Sequence, residues 1–587
     1  MAELLVGPLL RWVSETEATI WVETDAPCAV EIHGHTERTF HVEGHHYALV
    51  IIRGLEPGRR YEYGVRLDGQ LRWPEPGSGF PPSIIRTLDA GRTARIVFGS
   101  CRVSVPHVSP FSLDRLIDSH GRGLDALAAF ARRLIDEPGG AWPHVLLLLG
   151  DQVYADDVPQ ATLDFICSRR DAGQPPGESV ADFQEYAHLY CASWTEPLMR
   201  WLLSSVSTSM IFDDHDVVDD WNISEAWLRD MRATDWWEDR IVAAFMSYWI
   251  YQHLGNLSPA ELDHDPLLAA VRSADDAGPL LRRFSFYADR ESAGHRWAYR
   301  RDVGGTRLIV LDSRAARVLR DGQREMLDET EWQWLEENVE GEMDHLVLAS
   351  SLPMLMAQGM HHAETWSERV GDGAWGRLPA RAMEKVRRAL DMEHWAAFGN
   401  SLERLMKLLA EVGGGRRGAA PASIVMVSGD VHHGYLARIA YRRSSGVRSA
   451  VYQSVTSPFR NPLGRGERMF QRISASRGMA AVTRLLAASA GVSQPIVRWR
   501  RLEGLAFENQ VSTLEMSGRN AILRLEKAVA TDGPEGAGLE ALWERRLAPA
   551  PKEAETMATD TNGAPADHGR PDGNDRLASP IAASHAR

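Results

Sequence analysis

Residues 210–222, MIFDDHDVVDDWN, crowd five aspartates around His215 directly after an apolar run. The aspartates are Asp213, Asp214, Asp216, Asp219 and Asp220. Carboxylates at this spacing repel one another, because each charge opposes the ionisation of its neighbours. A bound cation would remove that repulsion, since a metal is often the largest local charge in a site. The alternative is a solvated acidic turn, because acidic surface runs are common.

A second segment with ligand chemistry is GDQVYADD (150–157), which follows the most apolar run of the chain. Gly150 permits a tight turn there, and Asp151 offers a carboxylate at the tip of the predicted strand. A tyrosinate from Tyr154 would suit a ferric ion, and a bridging carboxylate would suit two cations. The alternative for Tyr154 is a packing aromatic at the start of a helix.

A third segment, SGDVHHG (428–434), carries Asp430 and His432 on alternate positions. In an extended chain, alternate side chains point the same way, so we expect both to face one site. Carboxylate and neutral imidazole together suit borderline metals. His433 would then face away and is predicted to be structural or to support the ligands from behind.

One cysteine and two arginines complete the candidates. Cys101 ends FGSCR (98–102), where its thiolate could bind a metal, although free cysteines are more often buried packing residues. Arg314 lies just past a predicted strand and could hold a phosphate through two hydrogen bonds. Arg102 is a second candidate for that role. For Arg314 the alternative is a salt bridge with one of the many carboxylates.

These residues lie at the ends of a series of apolar runs that alternate with helical segments such as LDALAAFARRLID and EWQWLEENVEG. The runs are RIVFGSCR, HVLLLLGDQVYADD, SMIFDDHD, RLIVLDSR, HLVLASSLP and SIVMVSGDVHHG. Runs that are apolar on both faces are typical of buried strands, and the alternation predicts an α/β layered domain. Ligands gather at the carboxyl ends of strands in open α/β sheets. The cation interpretation of the aspartate cluster is therefore favoured.

The chain divides by composition into three parts. Residues 1–90 contain short β-branched and aromatic runs separated by Gly, Pro and Asp, which predicts a small antiparallel β-sandwich. It ends in a linker or crossing loop over 73–83. The catalytic α/β domain is predicted for 91–530. Residues 531–587 have few aromatic residues and are predicted to be a disordered tail.

The remaining segments of the chain also have predicted structures, some of them with an alternative. The Trp-rich insertions 155–205 and 221–300 are predicted to pack between helices, with a substrate-gripping lid as the alternative. Residues 355–380 are predicted to be a loop that could cover the site. Residues 469–491 are predicted to be one packing helix, with a membrane-surface helix as the minor alternative. The runs VYQSVTSPF, QVSTLEMSG and NAILRLEKA are predicted to close a second sheet.

Whole-chain composition excludes several classes. The 587 residues carry 65 basic and 80 acidic side chains, a net charge of −15, which argues against an electrostatic nucleic-acid binder. No apolar run approaches the length that spans a bilayer. The four cysteines form no CxxC pair and no disulfide framework. With no export signal in the first residues, a cytoplasmic location is the default expectation.

With these motifs in place, the chain resembles the alkaline phosphatase D (PhoD-like) family of metallophosphoesterases. The resemblance rests on GSC, GDQVY, DDHDVVDDW, LDSR and SGDVHHG, in that order, over roughly residues 1–530. It implies a four-layer α/β/β/α domain behind a small β-sandwich. It also implies a cluster of iron (Fe3+) and calcium (Ca2+), or other divalent metals. Members of the family are typically secreted, which would make this protein secreted or periplasmic.

The resemblance also implies roles for individual residues. The metal ligands would be Cys101, Asp151, Tyr154, Asp214, Asp430 and His432. His215 takes the place of the histidine that approaches the substrate. Asp219 and Asp220 stand where asparagines are expected in some members, so an extra carboxylate could alter the metal preference or the number of calcium ions.

The implied reaction is metal-assisted hydrolysis of a phosphate ester. The cations would supply hydroxide that attacks phosphorus in line, and Arg314 or Arg102 would help to neutralise the developing charge. His215 would donate a proton to the leaving oxygen. Monoesters and diesters are both expected substrates, and a phospholipase D-type lipid phosphodiesterase is an alternative. A non-catalytic, metal-stabilised binding protein is the alternative from another class.

Overall fold

The structure is a computed structural model, and it describes residues 1–89, 91, 93–138, 140–320, 323–531 and 536–548. The chain begins with ten short strands that pair in the orders β1-β2-β6-β5, β4-β3-β8-β9 and β10-β7. Their bounds are β1 (Leu4–Val13), β2 (Glu17–Thr24), β3 (Ala29–Ile32), β4 (His35–Arg38), β5 (Phe40–Val42), β6 (His45–Arg53), β7 (Arg60–Glu62), β8 (Val65–Leu67), β9 (Gln70–Trp73) and β10 (Ile84–Arg86).

These strands follow the two-residue alternation of their side chains. Ile20 of β2, Val30 of β3 and Val65 of β8 are fully buried together in one core between the two four-stranded sheets. Trp21, next to Ile20, points to the opposite face and joins the core of the following domain. The antiparallel strands predicted for this region are present, and 74–83 is an irregular connection between β9 and β10.

The next part of the chain supplies five strands and most of the helical insertions. Its elements are β11 (Thr93–Gly99), α1 (Ala126–Asp136), β12 (Val145–Leu149), α2 (Gln160–Arg169), α3 (Phe183–Trp194), α4 (Pro197–Ser205), β13 (Thr208–Ile211), α5 (Glu225–Arg232), α6 (Trp237–Ser247), α7 (Pro259–His264), α8 (Pro266–Ser273), α9 (Gly278–Arg290), β14 (Tyr299–Val303) and β15 (Thr306–Leu311). A π-helical segment, Tyr248–His253, continues α6.

The remainder of the described chain completes both sheets. Its elements are β16 (Val318–Arg320), β17 (Gln323–Glu325), α10 (Glu329–Asn338), β18 (His345–Ser350), α11 (Gln358–Gly371), α12 (Arg377–Ala389), α13 (Gly399–Gly414), β19 (Ser423–Ser428), β20 (Tyr435–Tyr441), β21 (Ala450–Val455), α14 (Arg465–Ser474), α15 (Arg477–Ser489), β22 (Val497–Arg501), β23 (Gln510–Ser517), β24 (Asn520–Ala530) and β25 (Ala537–Ala548).

Two mixed sheets form the centre of this domain. One has the order β13-β12-β11-β23-β24-β25 and the other β14-β15-β18-β19-β21-β20-β22. On β15, Leu308 and Val310 join the core shared with the first sheet. The alternate residues Ile309 and Leu311 join a second core that also contains Leu335 of α10. Each sheet therefore packs on the other sheet with one face and on helices with the other, which confirms the four-layer α/β/β/α prediction.

The N-terminal sandwich is joined to this domain through a buried arginine. The guanidinium of Arg11 in β1 donates hydrogen bonds to the carbonyl oxygens of Thr208 (3.1 Å), Tyr251 (2.7 Å) and Gln252 (2.7 Å). Arg11 is fully buried, so its charge is compensated by backbone carbonyl groups of the other domain. The insertion that holds Tyr251 is thereby fixed against β1.

The Trp-rich insertions pack into the core, as predicted. Trp201, Trp221, Trp237 and Trp249 are fully buried in the cluster that also holds the inner residues of the sheets. Aromatic side chains of this size contribute much of the buried apolar area of a domain. The alternative of a tryptophan lid over the site is wrong for these four residues.

Two predicted segments differ from the structure in their helices. Residues 355–380 are not a loop: α11 and the beginning of α12 occupy most of the segment. Residues 469–491 form two helices and not one. The break falls at Ser476, whose hydroxyl accepts a hydrogen bond from the backbone of Met479 and caps α15.

Two strand predictions also need correction. VYQSVTSPF forms β21 inside the seven-stranded sheet, whereas QVSTLEMSG and NAILRLEKA form β23 and β24 beside β11 in the six-stranded sheet. The predicted tail begins too early, because residues 537–548 form β25 and pair with β24. Leu539, Trp543 and Leu547, each four positions from the next in β25, pack on the core, a pattern that composition alone concealed. Residues 549–587 lie outside the described residues.

Within the described ranges, no helix has both the length and the apolar composition required to cross a lipid bilayer.

Candidate metal centre

The candidate ligands meet because parallel strands end at a common edge. Strands β11, β12 and β13 are parallel neighbours, and so are β15, β18, β19 and β21. Cys101 follows β11, Asp151 follows β12, Asp214 follows β13 and Asp430 follows β19. The topology thus gathers side chains that are up to 329 positions apart in sequence, as expected at the carboxyl edge of α/β sheets.

Three groups of acidic, histidine and cysteine side chains lie at this edge, and in each group the ligand atoms are within 4.8 Å of one another. The groups are Cys101, Asp151 and His432; Asp151, Asp214 and His215; and Asp213, Asp214 and Asp430. Asp151 belongs to the first two groups and Asp214 to the last two. The geometry is therefore a continuous series of three potential cation positions with two shared carboxylates.

The first group is held by hydroxyl and backbone contacts. The Nδ1 atom of His432 lies 2.7 Å from the carbonyl oxygen of Asn461, which orients the ring and leaves Nε2 available as a ligand. The side-chain amide of Asn461 donates to the hydroxyl of Tyr154 (3.2 Å), which in turn donates to Oδ2 of Asp151 (3.3 Å). Tyr154 therefore lies directly beside the first group.

The second group contains the predicted proton donor. Nδ1 of His215 lies 2.9 Å from a carboxylate oxygen of Asp156, and the ring packs on that of Tyr154 at 4.8 Å between centroids. Burial alone would lower the pKa of His215, but the carboxylates of Asp156 and Asp151 outweigh it and hold the pKa well above its usual range. This arrangement favours a protonated imidazole fixed in orientation by Asp156.

The third group surrounds Arg314, which is fully buried. Its guanidinium forms ion pairs with Asp213 (2.5 Å), Asp214 (3.2 Å), Glu393 (2.6 Å) and Asp430 (3.4 Å). All three guanidinium nitrogens thus point to carboxylates, and the prediction that Arg314 holds a phosphate gives way to the salt-bridge alternative. Its positive charge offsets the repulsion within the group.

The other predicted phosphate-binding arginine is also engaged elsewhere. Nε of Arg102 donates a 2.8 Å hydrogen bond to Oδ2 of Asp125. The other oxygen of Asp125 caps the N-terminus of α1. The Arg102 guanidinium therefore binds the residue that caps α1. That residue, Asp125, belongs to none of the three ligand groups.

A buried histidine supports Asp430 from behind. Nε2 of His394 lies 3.2 Å from Oδ2 of Asp430, and its Nδ1 lies 2.7 Å from Oε1 of Glu364 in α11. Burial would raise the pKa of Asp430, but His394 and Arg314 outweigh that effect and hold it below its usual value. The Asp430 carboxylate is consequently kept ionised and fixed in orientation.

Four of the candidate ligands adopt a backbone conformation that non-glycine residues rarely adopt. Cys101, Asp151, Asp430 and His432 have φ values of 57°, 50°, 66° and 52°. This left-handed region costs roughly 1–2 kcal/mol for each residue, and such strain concentrates at functional sites. It also overturns the prediction of an extended SGDVHHG segment: Asp430 and His432 lie on a turn and contribute to different ligand groups.

Two glycines allow these turns to approach one another. Gly150 has a φ of 100°, and a Cβ atom there would collide with the Cβ of Asp213. A Cβ atom on Gly429 would collide with the side chain of Ser100. Both positions therefore need glycine for close contact between strand ends, and Gly150 needs it for its conformation as well.

The donor set fits a metal cluster by its chemistry and by its unmet hydrogen bonds. Among the described residues, Oδ1 of Asp151 and Oδ2 of Asp213 are buried carboxylate oxygens without a hydrogen-bond partner. Burial raises the pKa of Cys101 to about 12 and also raises that of Asp151. A cation would compensate these groups and stabilise their ionised forms. The combination of thiol, phenol, imidazole and carboxylate is typical of transition-metal sites with hard neighbours.

The remaining aspartates of the opening cluster have different roles. Asp216 is structural, because it accepts hydrogen bonds from the backbone nitrogens of Asp213 (2.9 Å) and Val153 (3.3 Å). Burial raises the pKa of Asp220 to about 9, with Glu393 as the next cause. The Asp219 side chain is 71% exposed, so the solvated-turn alternative applies to this residue. The solvated-turn alternative is therefore wrong for most of the cluster.

Sequence reasoning missed several residues of this site. Asp213 and Asp156 lie within the motifs that were recognised, and only their partners identify them. Asn461 follows the end of β21, a position that could have indicated a ligand support. His394 and Glu364 gave no usable signal, because Glu364 reaches the site through the packing of α11 and His394 from the segment after α12.

The comparisons with known proteins agree with this geometry. Residues 1–85 match a domain of unknown function (DUF7800), and residues 131–484 match the model of PhoD-like phosphatases. No curated protein sequence matches this chain. Cys101 lies outside the matched range, whereas the other candidate ligands lie inside it.

Two solved structures are similar to the chain. One, described as the structure of PhoD, is 12% identical with a TM-score of 0.55, and the match covers 92% of this chain and 90% of that one. The other, purple acid phosphatase PPD1 from yellow lupin (Lupinus luteus) seeds, is 10% identical with a TM-score of 0.45 over 89% of this chain and 71% of that one. The first match supports the fold. Since the family model covers more than half of the chain, this protein belongs to the PhoD-like phosphatase family and is a metal-dependent phosphoesterase.

Proposed function

We propose that this protein hydrolyses phosphate monoesters or diesters with a cluster of Fe3+ and Ca2+ ions. The proposed metal ligands are Cys101, Asp151, Tyr154, Asp214, Asp430 and His432. The observation that carries the proposal is the sharing of two carboxylates, Asp151 and Asp214, among three adjacent ligand groups. Shared carboxylates suit multinuclear centres, in which one side chain bridges two cations.

Iron and calcium are assigned by the chemistry of the groups. Cys101, Tyr154 and His432 offer sulfur, phenol oxygen and nitrogen around Asp151, a set that suits iron. Asp214 and Asp430 offer oxygen atoms alone, which suits calcium. Bound metal ions would supply positive charge for the phosphoryl oxygens and lower the pKa of a water molecule.

The side chains of the protein supply the remaining functions. His215, held by Asp156, can donate its proton from Nε2 to the leaving oxygen. Arg314 is a positioning residue that holds three carboxylates of the site in place and limits their repulsion. His394 acts similarly on Asp430. In this proposal neither Arg314 nor Arg102 contacts the phosphate.

Two alternatives differ in substrate or in class. A phospholipase D-type activity would use the same site on a lipid phosphodiester. A non-catalytic, metal-stabilised binding protein would keep the ligands without turnover. His215, oriented by Asp156 beside the ligand groups, supports catalysis over that alternative.

Elemental analysis combined with a substrate panel tests the proposal. Protein purified without added metal should contain both iron and calcium, and it should hydrolyse an aryl phosphate, its bis-aryl diester, or both. Loss of activity on chelation and recovery with the two metals would support the assignment. Full metal occupancy without hydrolysis of any phosphate ester would favour the binding protein. Another metal in place of iron would contradict the assignment of the first group.

A further inference from the structure

Helices α14 and α15 expose large apolar side chains to solvent. In the described part of the chain, fourteen large apolar side chains are exposed, and five of them fall within residues 465–489. We call these five the α14–α15 face: Met469, Phe470, Ile473, Val482 and Leu485. Exposed apolar residues that occur singly need no explanation, but a cluster indicates an interaction surface.

Helices α14 and α15 expose large apolar residues and bury small ones, which is the reverse of the usual arrangement. Met469 and Ile473 are four positions apart, and Val482 and Leu485 are three apart, so each pair lies on one side of its helix. The residues that α14 and α15 bury are small, namely Ser474, Ala480, Thr483 and Ala487. A surface helix normally turns its large apolar residues toward the core. These helices turn them outward.

The surroundings of the face are basic. Residues 465–489 contain five arginines and one glutamate, a net charge of +4 within a chain of net charge −15. The arginines at 465, 472, 477 and 484 are exposed. A basic, apolar surface on an acidic protein is complementary to a surface that is both apolar and negatively charged.

An exposed tryptophan adds to the same surface. Nε1 of Trp375 donates a 3.3 Å hydrogen bond to the carbonyl oxygen of Ser489 at the end of α15, and 42% of the side chain is exposed. Leu378, in the first turn of α12, is 79% exposed. Tryptophan is enriched where one part of a surface meets lipid and another meets water.

The face is connected to the candidate metal centre by short segments. Helix α14 begins at Arg465, four positions after Asn461, whose carbonyl oxygen orients His432. Both α14 and α15 pack on α11, and Glu364 of α11 contacts His394 behind Asp430. The helices that carry the face are therefore linked to the candidate metal centre through α11 and the start of α14.

We propose that the α14–α15 face binds the surface of membranes that contain anionic phospholipids. The apolar side chains enter the boundary between headgroups and acyl chains, and the arginines pair with lipid phosphates. A symmetric contact with a second copy would oppose two surfaces of charge +4, which disfavours that occupant. The further consequence, that the substrate is a phosphate ester carried by a membrane, rests on the proposed function.

Vesicle sedimentation with the full chain tests the binding. The probes are vesicles of phosphatidylcholine alone and of phosphatidylcholine mixed with phosphatidylserine. The protein should sediment with the mixed vesicles and much less with the neutral ones. Arg477→Gln and Arg484→Gln should each weaken binding about fivefold. Phe470→Asp and Leu485→Asp should weaken it about tenfold or more, because each places a charge in the apolar boundary.

Matched controls separate this effect from misfolding. Leu71→Asp changes a side chain that is 52% exposed on β9 of the N-terminal sandwich, and it should leave vesicle binding unchanged. Turnover of a soluble aryl phosphate should be unchanged in all of these variants, which shows that they fold. A variant that loses this turnover is replaced by Val482→Asp on the same face, and the same criterion applies.

Two results would overturn the proposal. In the first, the wild type, Phe470→Asp and Leu485→Asp sediment equally with the mixed vesicles, or none of the three sediments. The other is a dimer in analytical ultracentrifugation that Leu485→Asp dissociates, since a second copy would then cover the face. Vesicle binding without hydrolysis of any phosphate ester would contradict the proposed function and leave the membrane surface supported.

Discussion

At the scale of single residues, the site depends on carboxylates that are unfavourable without a cation. Asp151 is buried, belongs to two ligand groups and leaves one oxygen without a partner among the described residues. A buried carboxylate in this state disfavours its own ionised form. A metal ion bound to Asp151, as proposed, would account for its presence at the end of a strained turn.

Replacing this carboxylate tests its role directly. Asp151→Asn should reduce activity by about 100-fold or more and lower the metal content, since a charged bridging ligand is lost. The metal-free variant should melt at the same temperature as the metal-free wild type or higher, because the unpaired charge is gone. Elemental analysis and thermal unfolding after chelation measure both effects. Asp171→Asn, at an exposed position, is the matched control. Unchanged metal stoichiometry would rule out the ligand role.

The second residue-scale prediction concerns the proton donor. His215→Ala should retain the metals and lose about 100-fold in turnover, with the greatest loss on substrates whose leaving groups are poor. Steady-state rates on an aryl and an alkyl phosphate, with metal analysis of the same samples, provide the measurement. Asp156→Asn keeps the ring and should lose less. Normal rates on the alkyl phosphate would refute the acid role, and loss of metal would identify His215 as a ligand instead.

At the scale of elements, the ends of parallel strands position the candidate ligand side chains. The β12 turn brings Asp151 against the end of β13, and this approach is closest at Gly150, which faces Asp213. Both strands are fully buried, and β12 is entirely apolar, so they fix the turn without taking part in the reaction. Small changes at such a turn should therefore affect both stability and metal binding.

A pair of glycine substitutions separates the cost of the left-handed backbone conformation from the cost of the steric collision at this turn. Gly150→Ala should lower the free energy of unfolding by about 2–5 kcal/mol, the sum of a left-handed conformation and a collision. Gly69→Ala, at a φ of 80° with nothing within 4 Å, should cost only the conformational part, about 1–2 kcal/mol. Denaturant unfolding gives both values. Equal costs would show that contact with Asp213 is unimportant, and only Gly150→Ala should also lower metal content.

At the scale of the whole molecule, the N-terminal sandwich supports the insertion next to the site. Arg11 of β1 binds the backbone of Tyr251 and Gln252. Gln252 in turn donates to Asp216 (3.2 Å), the aspartate that holds the turn after β13. The sandwich is therefore linked to the aspartate cluster through three buried hydrogen-bonded residues, which gives it a structural role in the phosphoesterase.

Removal of this link should destabilise the protein as a whole. Arg11→Ala leaves three buried carbonyl groups without donors and should cost about 3 kcal/mol or more. Arg59 forms an ion pair with Glu56, and its side chain is 66% exposed. Arg59→Ala breaks this pair and should lower the free energy of unfolding by less than about 1 kcal/mol. Denaturant unfolding followed by circular dichroism compares the two. A similar small cost for both would mean that the sandwich contributes little to the stability of the catalytic domain.

A structural element can be predicted from the sequence when its conformation is determined by residues close to it in the chain. The strands β11, β12, β13, β15, β18 and β19 were predicted because an apolar run in a buried strand is a local pattern. The layered fold followed from their alternation with helices. Segments whose conformation depends on their neighbours are harder to predict. The local sequence predicts a loop where α11 forms and a disordered tail where β25 forms, because helix packing and strand pairing determine these two elements.

The same division holds at the site. The amino-acid sequence by itself determined which ligand types stand at which strand ends, because backbone turns and side-chain chemistry are local properties. Only the tertiary structure decided the roles of Arg314, His394 and Asp430. An arginine that could hold a phosphate instead forms ion pairs with four carboxylates, because folding buries its guanidinium among them. Such contacts join distant parts of the chain, so their energies exist only after folding.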